Sequence, residues 1–451
     1  MLSKSRYLKG LKCEKALWLS KFKREKAFYS ESTKQIFKQG NDVGELAQQY
    51  FPGGTLALVD AFPNERAVRK TKELLDAGET TIYEATFVAH NTLVALDILH
   101  NIDGKWHAFE VKSTNSKKTE HVRDAAIQYY VMQAAGLQLE DISIMHFDRS
   151  YVRRGDIEPK KLFTNESVIH EITPYLKEIP QNIERFLQVF KNNEPLIQIG
   201  KHCDKPYACE FAQYCHTLPE NKNLINNENK AELDRTITQV DVEGVKEFYE
   251  STSYPIYSLD FETVMEGIPA YDESRPYQQI PFQYSLHFQE HELSPPRHFE
   301  FFHDGSSDPR EELIKSLIDH IGEQGNILVY NITFERKRLT ELMRDFPKYK
   351  NELQNILDRL VDLMPVFKKL IIAKATQKSA SLKIVLPTFL PGKSYDDKEV
   401  ANGMESMAAF KNLNNLNREE KEQKIQKMLD YCALDTEAVL ELYNLLPTFI
   451  K

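Results

Sequence analysis

Two stretches of the sequence, Leu93-Val-Ala-Leu-Asp-Ile-Leu and Trp106-His-Ala-Phe-Glu-Val-Lys, have the composition of strands and flank Asp103-Gly104. Asp-Gly between apolar runs is a strong signal for a two-residue hairpin turn. With these two residues as the turn, Asp97 lies directly opposite Glu110. Opposed side chains are about 4.5–5.5 Å apart, and like charges there destabilise a sheet. The hairpin therefore predicts a compensating cation, and a hard divalent metal ion is the natural one.

Three further residues extend this predicted site. Lys112 follows Glu110 by two positions and therefore faces the same side of the strand, where an ammonium would orient water or stabilise a developing phosphorane charge. Gln128, on a helix predicted over 119–136, could reach back to the site. Glu45, on a helix predicted over 32–50, could complete the metal shell. In the alternative interpretation, Asp97 faces solvent and Lys112 only neutralises Glu110.

The cysteines form a second pattern. Cys203, Cys209 and Cys215 are each separated by five residues, whereas zinc ribbons normally pair their cysteines as C-x₂₋₄-C. Three thiolates leave one position of a tetrahedral metal ion or a four-iron cluster unfilled. Four thiolates can hold a 4Fe–4S cluster; zinc and a set of unligated cysteines are the alternatives. The candidates for the fourth ligand are Cys13, His202, His216 and Cys432.

On these residues, positions 1–217 resemble the iron–sulfur branch of the RecB-like PD-(D/E)xK nucleases, which includes CRISPR-adaptation nucleases and the nuclease domains of AddB-type repair proteins. The resemblance implies a restriction-endonuclease-like fold that cleaves nucleic acid with Mg²⁺ or Mn²⁺. Met132 stands where this family often has a tyrosine. The implied site consists of metal ligands Glu45, Asp97 and Glu110, catalytic Lys112 and Gln128, and 4Fe–4S ligands Cys13, Cys203, Cys209 and Cys215.

A second acidic set lies in the C-terminal half. Asp260 and Glu262 alternate with Leu259 and Phe261 along a predicted strand, so both acids face one side. An inward-facing acidic pair at the tip of a buried strand indicates divalent metal binding. Tyr431 and Asp435 are neighbours on one face of a predicted helix. Glu335 lies where a strand leads into a helix, and it could instead complement the helix dipole.

This second set resembles the DnaQ-like exonucleases of the ribonuclease-H-like superfamily, in the subgroup with a tyrosine in the last motif. The D-x-E-T motif is Asp260 to Thr263, and the Y-x₃-D motif is Tyr431 to Asp435. Glu335 stands where the middle motif normally supplies an aspartate, and Asp362 could be a further carboxylate. The resemblance implies 3′→5′ exonucleolysis, with Tyr431 orienting water and two metal ions held by Asp260, Glu262, Glu335 and Asp435.

The composition fits two mixed α/β domains. The chain has 451 residues, of which 41% are hydrophobic, as in globular proteins. We predict a PD-(D/E)xK domain over 1–217, a polar linker over 218–245 and an exonuclease domain over 246–451. No stretch approaches the ~20 apolar residues of a membrane span. We therefore expect no membrane partner. Five cysteines do not make a disulfide framework, so we expect a cytoplasmic location.

The charge distribution points toward nucleic acid although the net charge is −9. Residues 1–40 carry eleven Lys and Arg against three acids. Such asymmetry can mark a phosphate-binding surface, or it can be a solvated helical face. We predict a metal-dependent nuclease that acts on ends, with DNA a better candidate than RNA, in nucleic-acid repair, processing or defence. The alternatives are a nucleic-acid-binding protein with one or both folds inactive, and a zinc-stabilised scaffold.

Overall fold

The computed structural model describes residues 1–58, 60, 62–221, 233–395 and 402–450. Internal contacts divide the chain into two units. The first comprises Met1–Asn229 and Gly267–Tyr277, and the second comprises Lys230–Glu266 and Gln278–Lys451. Both units are mixed α/β, as the sequence predicts.

The described residues of the first unit form one seven-stranded sheet. Its order is β2-β3-β4-β5-β6-β7, and β1 also pairs with β4. Because β3 occupies one edge of β4, β1 shares the other edge with β5. The chain therefore enters the first helix beside the end of β5. The strands are β1 (Leu2–Ser3), β2 (Thr55–Leu56), β3 (Thr81–Ala89), β4 (Thr92–Ile102), β5 (Lys105–Val111), β6 (Leu139–Phe147) and β7 (Phe163–Ser167).

Helices cover both faces of this sheet. Val122, Ala125 and Ile183 belong to the core on one face, whereas Val43 and Ala47 pack on the other. The helices are α1 (Lys4–Lys12), α2 (Glu14–Phe22), α3 (Glu31–Gln48), α4 (Glu65–Asp76), α5 (Thr119–Ala134), α6 (Pro159–Leu162), α7 (Thr173–Leu176), α8 (Ile179–Val189) and α9 (Ala212–His216).

One predicted helix, over 166–193, is wrong. The chain forms β7, then α7, then α8 in this region. Pro174 and Pro180 each lie in the first turn of a helix. Proline fixes φ and lacks an N–H, so it starts helices and does not continue them.

The second unit contains a five-stranded sheet of order β11-β10-β9-β12-β13 and a separate β14-β8 pair. The central strand β9 pairs antiparallel with β10 and parallel with β12. The strands are β8 (Ile237–Val240), β9 (Ile256–Met265), β10 (Gln279–Gln289), β11 (Arg297–Phe302), β12 (Asn326–Val329), β13 (Leu360–Asp362) and β14 (Ile371–Ala373).

The helices of the second unit continue the numbering. They are α10 (Val242–Glu250), α11 (Arg310–His320), α12 (Thr333–Asp345), α13 (Lys350–Asp358), α14 (Leu382–Phe389), α15 (Gly403–Asn412) and α16 (Arg418–Leu445). Short 3₁₀ or π turns occupy Arg24–Lys26, Lys201–Cys203, Pro219–Asn221, Pro347–Tyr349, Val366–Leu370, Lys374–Thr376, Leu413–Asn415 and Leu446–Phe449. None of the described helices combines the length and apolar character needed to cross a membrane.

The predicted domain boundaries need two corrections. The linker predicted over 218–245 is too long, because β8 and the start of α10 fall within it; positions 222–232 lie outside the described residues. In addition, residues 267–277 belong to the first unit. Arg153 Nη1 donates to the carbonyls of Pro269 and Ala270, at 3.0 and 2.6 Å. The hydroxyls of Tyr277 and Ser113 are 2.8 Å apart.

Candidate functional sites

The hairpin has the register that its turn predicts. Asp103 and Gly104 both have positive φ, of 51° and 85°, and Ile98 pairs with Phe109. Asp97 and Glu110 are therefore at opposed positions of β4 and β5. Asp97 Oδ2 accepts a hydrogen bond of 2.6 Å from the backbone N–H of Val111.

Two lysines bind Glu110. Lys112 Nζ and Lys4 Nζ each lie 2.7 Å from Glu110 Oε1. Both ammonium groups also approach Asp124 on α5, at 2.5 Å from Lys112 and 3.4 Å from Lys4. Gln128 Nε2 donates to Glu110 Oε2 at 2.7 Å, so the predicted reach of Gln128 to the site is confirmed. Position 4 reaches the site because β1 ends beside β5.

The pKa shifts favour the charged forms of Lys4 and Glu110 and the neutral form of Asp97. Burial would lower the pKa of Lys4, but Asp124 and Glu110 outweigh this and raise it. Burial would raise the pKa of Glu110, but Lys112 and Lys4 outweigh this and lower it. The pKa of Asp97, in contrast, is raised well above its ordinary value by burial and by Glu110. The region around Asp97 is therefore short of positive charge.

A further carboxylate, Glu84, lies on β3 opposite Asp97 of β4. The register continues on both sides of it, with Tyr83 opposite Ile98 and Ala85 opposite Leu96. Glu84 has a φ of 54°, and a non-glycine residue in this left-handed region costs about 1–3 kcal/mol. Burial and the charge of Glu110 raise the pKa of Glu84. Glu84, Asp97 and Glu110 thus form an acidic row across three strands.

Glu45 does not join this group. It lies on α3 as predicted, but the buried residues of that turn are Val43 and Ala47, and Glu45 is exposed. A helix places residues two positions apart on nearly opposite sides, so the face that carries Glu45 turns away from the sheet. The sequence interpretation found the helix and assigned the wrong face.

In the second unit, the predicted acids of the first and last motifs converge. Ligand oxygens of Asp260, Glu262 and Asp435 all lie within 4.8 Å of one another. Among the described residues this is the one group of three or more His, Cys, Asp or Glu side chains that is so close. Asp260 and Glu262 lie on the central strand β9, and Asp435 lies on α16, which packs against β9.

These carboxylates raise one another's pKa values. Burial and the neighbouring Asp435 raise the pKa of Glu262 to about 8. Burial raises the pKa of Asp435 to about 6. Burial, Asp435 and Glu262 place the pKa of Asp260 well above its ordinary value. Protonation relieves the repulsion among these acids, and a bound cation would do the same for the ionised forms.

Glu335, the predicted fourth ligand, is buried in the first turn of α12. Its Oε2 atom is buried and has no hydrogen-bond partner among the described residues. Burial and the charges of Asp362 and Asp435 raise its pKa to about 8, although Arg338 opposes this. Asp362 has another role. Its carboxylate accepts the backbone N–H groups of Asn331, Ile332 and Met364, and so fixes the junction before α12.

Tyrosine hydroxyls and a thiol surround the acids. Tyr395 donates a hydrogen bond to Asp435 Oδ1, and Tyr431 bonds the same carboxylate. Burial and the charge of Asp435 raise the pKa of Tyr431. Cys432 Sγ lies 3.4 Å from Asp260 Oδ2. Cys432 is fully buried beside Asp260.

A cavity of about 520 Å³ opens onto these acids. Phe334, Met404 and Met407 line it together with the site residues Asp260 and Tyr431. Its volume lies within the range of small-molecule sites, about 300–1,000 Å³.

The four cysteines named for a cluster line one pocket. Cys13 lies between α1 and α2, and Cys203, Cys209 and Cys215 lie in the segment that ends the first unit. No three of these thiols lie within 4.8 Å of one another, although the structure describes all four. The pocket is small, about 10 Å³.

Lysines lie near this pocket. Lys12 is close enough to Cys209, Cys203 and Cys13 for their charges to raise its pKa, although burial outweighs them and lowers it. Lys15 is buried and opposes the rise that burial causes in the pKa of Cys215, which reaches about 11. Cationic neighbours of this kind stabilise thiolates, which are the form that binds metal.

The sequence interpretation missed Lys4, Glu84, Asp124 and Tyr395. Asp124 carried a local signal, because it precedes Gln128 by four residues and so shares its helical face. Lys4 reaches Glu110 across 106 positions of sequence, and no local pattern indicates this contact. Glu84 depends on a left-handed backbone conformation that its residue type does not predict.

Part of the chain matches a known family model. A family model described as a domain of unknown function (DUF2779) matches residues 257–381. The matched region includes Asp260, Glu262 and Glu335 and ends before Tyr431 and Asp435. It spans less than half of the chain. No curated protein matches the sequence.

Proposed function

We propose that this protein is a metal-dependent nuclease with one hydrolytic site in each unit. The observation that carries the proposal is the convergence of Asp260, Glu262 and Asp435 within 4.8 Å beside an open cavity. Oxygen-only donor sets of this kind suit Mg²⁺ or Mn²⁺. When bound, such an ion supplies Lewis-acid activation of water and of the scissile phosphate.

In the second unit, Asp260, Glu262 and Asp435 would hold metal, and Glu335 would extend the set. Glu335 is one methylene longer than aspartate, and its unpaired buried oxygen supports a ligand role. Tyr431 donates a hydrogen bond to Asp435. It would orient the attacking water once Asp435 holds the metal ion. The cavity would seat the terminal nucleotide, so we propose 3′→5′ exonucleolysis for this site.

In the first unit, Asp97 and Glu110 would hold the ion, and Glu84 is placed to assist. Four carboxylates, Glu84, Asp97, Glu110 and Asp124, share the site with Lys4 and Lys112. With all six groups ionised, the site would carry two uncompensated negative charges, which one divalent cation would balance. Lys112, held by Asp124 as well as by Glu110, is positioned to stabilise charge on the phosphate.

The cysteine pocket would hold a 4Fe–4S cluster through Cys13, Cys203, Cys209 and Cys215. The observation that supports this proposal is that all four cysteines line one pocket. A bound cluster would join α1 and α2 to the end of the unit, and so contribute to folding.

The test is a time course on end-labelled single- and double-stranded DNA and RNA with Mn²⁺, Mg²⁺ or EDTA. We expect cleavage with either metal and none in EDTA. Binding of all substrates without cleavage under any metal would refute the nuclease and favour a binding protein. A purified protein that contains stoichiometric zinc, without iron or absorbance near 400 nm, would refute the cluster.

A further inference from the structure

The chain exposes four large apolar side chains close together at the start of α3. Phe28 is 53% exposed, Tyr29 39%, Ile36 65% and Phe37 53%. Single exposed apolar residues are ordinary, but a set within ten positions forms a patch of the kind that marks a binding surface. We call these four residues the α3 patch.

The α3 patch is a continuation of the stripe that packs on the sheet. Ile36 precedes Val43 by seven residues, two helical turns, and so lies on the same side of the helix. Val43 is fully buried against the cluster that contains Phe109, whereas Ile36 is exposed. The helix therefore runs past the sheet at its N-terminal end and keeps an apolar side there.

The aromatic rings of the patch are fixed in place. Ser30 caps α3 by accepting the backbone N–H of Thr33 at 3.2 Å. The cap folds the preceding residue back along the helix, and the rings of Tyr29 and Phe37 meet edge to face with centroids 5.4 Å apart. Two of the four side chains of the patch therefore contact each other.

Cations alternate with these rings. Lys26, Lys34 and Lys38 are exposed in the same segment, and Lys34 follows Glu31 in an i, i+3 pair of 2.6 Å. This basic character contrasts with the net charge of −9 of the chain. Exposed rings among lysines are the combination with which proteins bind single strands, because every base has a face to stack and every nucleotide carries a phosphate.

We propose that the α3 patch binds single-stranded nucleic acid, with bases stacked on Tyr29 and Phe37 and phosphates paired with Lys34 and Lys38. The proposal rests on the proposed function and makes nucleic acid with a single-stranded segment the ligand of this surface. Phe37 and Val43 are about 9 Å apart along the helix, at 1.5 Å per residue. Val43 packs with Phe109 on one face of the sheet, whereas Glu110 faces α5 on the other, so the α3 patch is a binding surface separate from the acidic row.

The test is binding of a fluorescent 20-nucleotide single strand to the full chain in EDTA, measured by anisotropy. Phe37→Ala should raise Kd about 5- to 150-fold, the range for one lost stacking contact of about 1–3 kcal/mol. Lys34→Gln with Lys38→Gln should reduce the slope of log K against log salt by about 1.4. Phe62→Ala is the matched control, since it removes a 69% exposed ring from the same unit and should leave Kd unchanged.

The outcomes separate this proposal from the nuclease proposal. Loss of binding in Phe37→Ala by a chain that never cleaves would refute the nuclease and support the surface. Normal cleavage with the same Kd for Phe37→Ala, Tyr29→Ala and the unmodified chain would overturn the surface. Self-association that Phe37→Ala abolishes while Kd stays constant would also overturn it, and would assign the patch to a second copy of this chain.

Discussion

Replacement of Asp435 by asparagine should change the stability of the second unit in opposite directions without and with metal. The rise of the Asp435 pKa from 3.8 to about 6 corresponds to at most about 3 kcal/mol of unfavourable free energy in the ionised carboxylate. In EDTA at pH 7.5, Asp435→Asn removes this penalty and should unfold at a higher temperature, by about 2–4 °C per kcal/mol.

In Mn²⁺, the unmodified protein should instead be more stable than Asp435→Asn. An ion that binds only the folded state, at 100 times its Kd, adds about 2.7 kcal/mol to the unmodified protein. Asp435→Asn lacks one of the three converging ligands and should gain much less. Differential scanning calorimetry in EDTA and in Mn²⁺ measures both effects. Asp430→Asn is the control, because it removes an exposed acid from the same helix and should change stability by less than about 0.5 kcal/mol.

The difference in stability between Asp435→Asn and the unmodified protein in EDTA should also depend on pH. The folded protein holds the Asp435 proton more tightly than the unfolded chain, so stability is lost as pH rises from about 4 to about 6. The advantage of Asp435→Asn should therefore disappear below about pH 4. A variant that is less stable than the unmodified protein in EDTA, and that gains equally from Mn²⁺, would refute the reasoning.

Three further outcomes follow from the sites. Lys4→Gln should lower the melting temperature of the first unit, since it removes one of the two ammonium groups that bind the buried Glu110, and slow first-site cleavage about 100-fold; unchanged cleavage kinetics would remove Lys4 from the site. Cys13→Ala should lose iron and destabilise the first unit, whereas Cys432→Ala should keep its iron content; full iron loading of Cys13→Ala would exclude it as a ligand. Glu110→Gln and Asp260→Asn should each retain cleavage with different product ladders on gels, and identical ladders would contradict two independent sites.

The parts of the fold that the sequence predicts are those with local signals. Asp103-Gly104 fixes the hairpin register, and the i, i+4 spacing of Tyr431 and Asp435 fixes their common face. The alternation around Asp260 and Glu262 places both acids on one face of a central strand. Each signal lies within a few residues of the group that it positions.

The parts that the sequence did not predict depend on contacts distant along the chain. Lys4 reaches Glu110 only because β1 occupies the edge of β4 that β5 leaves open. Residues 267–277 lie between two strands of the second unit, yet Arg153 and Ser113 hold them in the first. Glu45 is an exception, because its position could have been predicted locally. The apolar Val43 and Ala47 define the face of α3 that meets the sheet, and Glu45 lies on the other side.

The most direct test of the account is cleavage of a 5′-labelled single strand by the double variant Glu110→Gln/Asp260→Asn in Mn²⁺. Both substitutions remove a charge and keep the shape of the side chain, so the chain should fold and bind the strand. Carboxylates that share metal ions act as a unit, so the loss of one from each site should abolish cleavage. The double variant should give no product above the EDTA background. Cleavage at the rate of the unmodified protein would show that neither acidic site performs the hydrolysis.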